Sequence, residues 1–288
     1  MAKIFIDAGH GGTDPGAVGN GLQEKVLTLT IAKKIESLLK NYENVSVKMS
    51  RTSDTTLSLS QRTDAANAWG SDFFLSVHIN AGGGTGYEDY RYNTLTATSA
   101  TGKVQSTIHS AVMAELKAFN VIDRGAKSAN FHVLRETNSP ALLSENLFID
   151  TKVDANLLKR NDVLDAIARG HVEGLAKALG LKKKVIEVGK AQSGSYTVAQ
   201  GDTLWSIAQT QGVTVDQLKT WNAGINPNAL QIGSKLNIGV TIQTYNIQKG
   251  DTFWDIEEKF NIKHGTLEKL NPSVNANALQ VGQTIRIR

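Results

Sequence analysis

The sequence predicts an α/β domain, built on a mostly parallel twisted sheet flanked by helices, followed by two small α+β units of strand–helix–helix–strand (βααβ) order. Three observations predict it. Over the first 180 residues, segments of strand length alternate with amphipathic segments of helix length, the order that a parallel sheet with crossover helices requires. Phe73–His78 is a nearly unbroken apolar run, as a strand covered on both faces needs. Finally, Tyr196–Ile207 returns as Tyr245–Ile256 at an offset of 49 residues, and Trp205 and Trp254, Asn222 and Asn271, and Gly233 and Gly282 keep that offset. Two copies of one small domain therefore close the chain.

Lys3–Asp7 is the first strand. Glu24–Leu39 follows as a helix, because Leu27, Ile31, Ile35, Leu38 and Leu39 recur at helical spacing on one face. Val45–Met49 is a strand, Leu59–Trp69 a helix and Phe73–His78 the central strand. Ala97–Phe119 is mostly helical, Phe131–Leu134 and Ala141–Ser144 are short strands, and Val163–Leu179 is a closing helix. The first domain thus spans 1–181. Residues 182–195 form a lysine-rich linker, read as a solvated tether, and the repeats occupy 196–239 and 245–288. Within the first repeat, Tyr196–Val198 is a strand, Gly201-Asp202-Thr203 a turn that caps the next helix, Leu204–Gln211 and Val215–Trp221 the helices, and Leu236–Ile238 the closing strand.

Of 288 residues, 40% are apolar and 20% charged, enough for packed cores. The net charge of +4 comes mostly from the tether: residues 1–180 hold 19 basic and 19 acidic side chains, 181–195 hold 4 and 1, and 196–288 hold 8 and 7. No basic face tracks phosphates, so nucleic acid is not an expected partner. Cysteine is absent, which excludes disulfides, thiolate metal sites and a cysteine nucleophile, and leaves His, Asp and Glu to ligate any metal. No apolar run approaches the roughly 20 residues of a membrane span. Met1–Asp7 runs straight into the first strand without the pattern of a signal peptide, so the expectation is synthesis in the cytoplasm and release by another route.

In open α/β sheets, ligands bind beyond the carboxyl ends of the strands. Asp7-Ala8-Gly9-His10-Gly11-Gly12 follows the first strand, and Ser76-Val77-His78-Ile79-Asn80 ends the central one with Ser76, His78 and Asn80 on one face. Glu24 opens the first helix, and Glu145 follows the apolar Ala141–Ser144. Two neutral imidazoles and a carboxylate make a three-ligand zinc site with an open position for water, and a further carboxylate is what proton transfer in amide hydrolysis needs. Spacing leaves other readings open: His10 caps a turn of its glycine-rich loop, and Glu145 pairs with Arg124 or Arg135.

Ile6–Gly12 with Asp14-Pro15-Gly16-Ala17, then Glu24-Lys25, Ser50-Arg51-Thr52 with Asp54, Arg62, Ala66-Asn67, Ser76–Ala81, Arg124-Gly125 and Leu143-Ser144-Glu145 stand in a familiar order. On these stretches, residues 3–179 resemble the zinc-dependent N-acetylmuramoyl-L-alanine amidases of the amidase-3 family. The resemblance implies one zinc ion held by His10, Glu24 and His78, Glu145 as the catalytic carboxylate, and cleavage of the amide between the muramyl lactyl group and L-alanine of the peptidoglycan stem peptide. The alternatives are a zinc endopeptidase cutting within the stem, or a wall-binding protein without activity. Leu147 and Asp150 stand where the family shows Gly and Asn, a departure expected to alter the substrate groove, and Asn146 reads as surface-loop polarity. Arg51, Asp54 and Arg62 are expected to hold helix–strand connections by charge-assisted hydrogen bonds, and Asp7 to orient a ligand from behind. His109, His171 and His264 read as exposed or half-buried bystanders, and His132 as a satisfied sheet histidine.

The repeats are similar to LysM domains, with Gly-Asp-Thr-(Leu/Phe)-Trp-x-Ile, a downstream Asn and Leu-x-x-Gly in both. That implies binding of N-acetylglucosamine-containing chains between two loops. In the first repeat these hold Gly201, Asp202, Thr203 and Leu204 with Asn226, Leu230 and Ile232; in the second, Gly250, Asp251, Thr252 and Phe253 with Asn275, Leu279 and Val281. Trp205 and Trp254, in phase with Ile207 and Ile256, are expected in the cores. The whole is expected to be a monomeric hydrolase of bacterial peptidoglycan, of endolysin or autolysin type, whose two weak glycan sites raise its concentration at the wall.

Overall fold

A computed structural model describes residues 1–184, 194–200, 202–222, 224–226, 230–239, 244–260, 262–272, 274–276 and 278–287. The chain divides into two compact units, Met1–Val185 and Ile186–Arg288. Among the described residues no helix is long and apolar enough to cross a membrane.

The first unit runs β1 (Ala2–Ala8), a small hairpin β2 (Val18–Gly19) and β3 (Leu22–Gln23), α1 (Glu24–Leu39), β4 (Val45–Met49), α2 (Leu59–Trp69), β5 (Phe73–Asn80), β6 (Tyr87–Tyr92), α3 (Ala100–Leu116), β7 (Asp123–Ala129), α4 (His132–Arg135), β8 (Ala141–Phe148), α5 (Lys152–Leu158) and α6 (Asn161–Leu179). Six strands form one sheet in the order β4-β1-β5-β8-β6-β7. All neighbours are parallel except β6 and β8. Strand alternation splits the sheet's apolar residues between two layers. Ile4, Ile6, Leu75, Val77 and Leu142 pack under α1, α3 and α6, whereas Phe5, Phe74, Ala141 and Leu143 meet Ala66 of α2 and Val133 and Leu134 of α4. Each fully buried aliphatic side chain there contributes about 1.5–3 kcal/mol.

Leu59–Trp69 is helical between the bounds its sequence predicts, because both ends are capped. Ser58 and Gln61 form a capping box, and Gly70 closes the helix in the left-handed region, with φ 69°. Other elements differ from expectation. Phe131–Leu134 is not a strand: Phe131 is the N-cap of the short helix α4, whose Val133 and Leu134 turn into the core. Strands β6 and β7 are not foreseen either. Tyr-Glu-Asp-Tyr-Arg-Tyr and Asp-Arg-Gly-Ala-Lys-Ser-Ala carry no apolar run, since β6 binds its neighbours through buried polar side chains and β7 is the sheet edge. Glu145 lies inside β8 rather than after it. At the start of the expected tether, Lys182 accepts from the Glu43 amide at 2.8 Å, Lys184 donates to Asn41 at 2.7 Å, and Lys183 pairs with Glu173. Residues 182–184 therefore lie against the first unit.

The first repeat holds β9 (Gly194–Thr197), α7 (Leu204–Gln211), α8 (Val215–Trp221) and β10 (Lys235–Ile238), and the second holds β11 (Thr244–Asn246), α9 (Phe253–Lys259), α10 (Thr266–Leu270) and β12 (Thr284–Arg286). In each, the two strands pair antiparallel. The repeated asparagines are staples. Asn222 accepts from the Asn237 amide and donates to its carbonyl, and Asn271 does the same with Arg286, so each second helix is tied to its closing strand. Trp205 is buried, as expected, but Trp254 is 60% exposed and lies outside the core of its repeat.

Candidate metal centre

The loop after β1 is shaped by buried cations. Arg51 donates to the carbonyls of Ala8, Gly9 and Lys25, and Arg62 donates to those of Ala8 and His10. Asp7 holds Arg62 at 2.7 Å and accepts from Ser76, so it acts on the loop through the guanidinium rather than on a ligand directly. Asp54 fixes Gly12 and Lys25. The expected structural role of Arg51, Asp54 and Arg62 matches this geometry. So fixed, the loop holds His10 at φ 60°, a left-handed conformation that costs a non-glycine residue roughly 1–2 kcal/mol.

Glu24, the first residue of α1, reaches both histidines. Its Oε2 lies 3.2 Å from His10 Nε2 and its Oε1 3.0 Å from His78 Nδ1. Backbone amides finish the cradle: Ala17 donates to Oε2 and Ile79 to Oε1. One ligand atom from each of His10, Glu24 and His78 lies within 4.8 Å of the others. Glycines permit the approach. A Cβ on Gly9 would stand 2.4 Å from the His78 ring, and one on Gly16 would stand 2.6 Å from Glu24 Oε2 and 2.7 Å from the His10 ring. Burial opposes every charge here, yet the pairings prevail. Hydrogen bonds from both imidazoles hold the Glu24 carboxyl far below its ordinary range. Burial alone would lower His10, but Glu24 and Asp14 push it up to about 9, and His78 rises through Glu24 and Glu145.

Glu145 completes the group from the neighbouring strand. It is the register partner of His78 on β5 and of Glu88 on β6, so three side chains form one row on one face of the sheet. Its Oε2 is buried without a hydrogen-bond partner among the described residues. Desolvation pushes its pKa up to about 7; the His78 charge opposes this, while Glu24 and Glu88 add to it. Neither Arg124 nor Arg135 pairs with it: Arg124 binds Glu88 and Arg135 binds Glu136. Glu88 itself is ionised, because Lys127, Tyr90 and Arg124 overcome its burial and hold it at about 2.

Several residues differ from their sequence reading. Asn146 is not a surface-loop residue: it is fully buried, donates to the His78 carbonyl at 2.9 Å and lies 3.1 Å from His171 Nε2. His171 and His109 are buried rather than bystanders, His109 lying between Asp89 and Asp123. His132 opens α4, and its buried Nε2 has no partner among the described residues. The Leu147 side chain packs in the core, away from the cleft, at φ 69°, and Asp150 accepts from the amides of Gly82 and Gly83. Asn146, Glu88 and His171 carried no motif that could have revealed them. Only the period of β8, placing Asn146 opposite Glu145, offered a signal.

In the repeats, Gly201 lies outside the described residues. Asp202 and Asp251 accept from the Ala199 and Gln248 amides, and Thr203 and Thr252 cap the helices after them. Leu204 and Phe253 are core residues. Gly250, Asn226 and Asn275 are exposed, Leu230 and Leu279 are half-buried against the cores, and Ile232 and Val281 are exposed.

Comparison with known proteins accounts for both units. The family described as N-acetylmuramoyl-L-alanine amidase matches residues 4–177. The chain belongs to that family. The LysM domain family matches residues 196–239 and 245–288. The amidase is 55% identical over 215 residues to the sporulation-specific N-acetylmuramoyl-L-alanine amidase of Bacillus subtilis (strain 168), covering 74% of this chain and 82% of that one. It is 48% identical over 186 residues to the endolysin of Bacillus phage SPP1, covering 64% and 69%. Its fold matches the catalytic domain of CwlV, an N-acetylmuramoyl-L-alanine amidase from Bacillus (Paenibacillus) polymyxa var. colistinus, with TM-score 0.59 and 33% identity over 63% of this chain and all of that one. The protein is a cell-wall amidase with wall-binding repeats.

Proposed function

We propose that the amidase uses one zinc ion held by His10, Glu24 and His78 to hydrolyse the amide between N-acetylmuramic acid and L-alanine of the stem peptide, with Glu145 carrying the proton. One observation supports this above the others: three ligand atoms of a His-Glu-His set converge, and the unpartnered Oε2 of Glu145 is buried in the same row as His78. The donor set suits zinc, which takes imidazole nitrogen and carboxylate oxygen and leaves a position open in hydrolases. Bound there, zinc supplies positive charge that polarises the scissile carbonyl and makes water more acidic.

The remaining work belongs to the chain. Burial raises the Glu145 carboxyl above its ordinary range and makes it a stronger base, so Oε2 takes a proton from the attacking water and returns it to the departing L-alanine nitrogen. Glu88, ionised beside it, keeps that oxygen proton-loving. Asn146 fixes the His78 backbone at the point where the β5–β8 register shifts. Asp14 holds His10 Nδ1 at 2.8 Å and leaves Nε2 for the ligand position.

We assign the chemistry to residues 1–181 and the retention on glycan to the repeats at 196–239 and 245–288, in a monomer that acts at the wall after release from the cell. The test is mass spectrometry of digested wall fragments with and without a chelator. Amidase action leaves a free amino terminus on L-alanine beside intact muramic acid, lost in chelator and restored by zinc. Cross-link fragments would instead identify an endopeptidase, and full activity in chelator would refute the role of the metal.

A further inference from the structure

The two repeats differ at a place where their sequences agree. Trp205 is 8% exposed, whereas Trp254, its counterpart 49 residues on, is 60% exposed. The exposed indole is not loose. It stacks on the His264 imidazole, with centroids 5.1 Å apart and planes within 3°. His264 is held at both nitrogens, Nδ1 lying 3.3 Å from Glu257 Oε2 and Nε2 2.7 Å from Glu258 Oε1. Glu257 is anchored in turn, accepting from the backbone amides of Gly265, Thr266 and Leu267. The first repeat lacks these side chains: Val215, Ala208 and Gln209 stand at the positions equivalent to His264, Glu257 and Glu258.

A single exposed apolar residue is ordinary on a protein surface. A tryptophan braced by a ring that two carboxylates hold is a prepared surface, and it loses little freedom when something lies on it. The face of an indole carries negative charge density that attracts partly positive C–H groups. A pyranose ring presents such groups on its flat side. Trp254 also directly follows Phe253, the last residue of the Gly-Asp-Thr-Phe stretch that the LysM resemblance assigns to glycan, in the first turn of α9. We propose that Trp254, backed by His264, is a stacking subsite for a pyranose ring of the wall glycan, present in the second repeat and missing from the first. This rests on the wall-binding reading of the repeats.

The test titrates the full-length protein with a short soluble oligomer of N-acetylglucosamine and follows tryptophan emission and its quenching by iodide. Trp69 is half-buried and Trp205 and Trp221 are buried, so Trp254 is the indole most open to iodide. The oligomer is expected to protect the parent protein from quenching. Trp254→Ala weakens association about tenfold, equivalent to about 1.4 kcal/mol. Trp254→Phe restores part of it and His264→Ala costs about threefold, with melting curves checking the fold. If Trp254→Ala binds as tightly as the parent, the subsite is overturned and the wall-binding reading stands. If the parent itself does not bind the oligomer, that reading falls and the subsite falls with it.

Discussion

His78 and His171 are joined through a single asparagine, yet their surroundings drive them in opposite directions. At the end of β5, Glu24 and Glu145 face His78 and favour its protonated form. On α6, His171 is fully buried with no carboxylate pairing it among the described residues, and desolvation pushes it down to about 3. Asn146 touches the His78 carbonyl with its amide and His171 with its oxygen. The same residue type thus joins a cluster of carboxylates at the rim of the sheet and packs without one in the core. Neighbours, rather than the imidazole, assign the role.

Three experiments press on this contrast. On the rim side, Glu145→Gln should lower turnover on soluble wall fragments by on the order of 10²–10⁴-fold. It should also stabilise the metal-free protein. A carboxyl raised from 4.5 to about 7 contributes stability below pH 4.5 that is lost as pH rises through 7, so the gain in the variant reaches up to about 3 kcal/mol at pH 8 and vanishes in acid. Melting curves of both proteins from pH 4 to 8 read that difference, and unchanged turnover would remove Glu145 from the chemistry.

On the core side the pattern should invert. His171→Ala leaves the Asn146 oxygen unpaired and a cavity under α6, a loss of about 2–4 kcal/mol, while turnover below the melting range falls less than about tenfold. The parent should lose stability as pH drops from 6.5 towards 3, because the unfolded chain takes up the proton that folded His171 refuses. The variant should show a shallower slope over that window. A His171 variant that kept its melting point but lost activity would break the comparison.

The smallest effect belongs to Leu147. Leu147→Gly removes a buried side chain but relieves a left-handed backbone, so the net loss should be about 1–2 kcal/mol, below the usual cost of truncating a core leucine. Chemical denaturation checks it, and a full-sized loss would mean that φ 69° carries no strain.

Much of this was legible beforehand. Apolar periodicity located β1, α1, α2 and β5, and motif order singled out His10, Glu24, His78 and Glu145, which the fold brings side by side. What stayed hidden shares one cause. β6 and β7 are held by cross-strand polar contacts, such as Glu88 with Lys127 and Arg124, and hydropathy does not register those. Phe131–Leu134 has strand-like composition, yet tertiary packing of Val133 and Leu134 selects a helical turn. Trp254 repeats the phase of Trp205, yet its indole is exposed and stacked on His264, a contact that periodicity does not register. Asn146 reads as a loop residue because polar Ser144, Glu145 and Asn146 interrupt the apolar pattern of β8, which continues to Phe148.

Gly9 lies against His78, and Gly16 against Glu24 and His10, with only hydrogen where other residues carry carbon. An alanine scan meant to find functional groups would flag both as strongly as the histidines, although neither offers an atom to react. What they provide is vacancy, and a catalogue of chemical groups would overlook the two residues whose contribution is to be missing.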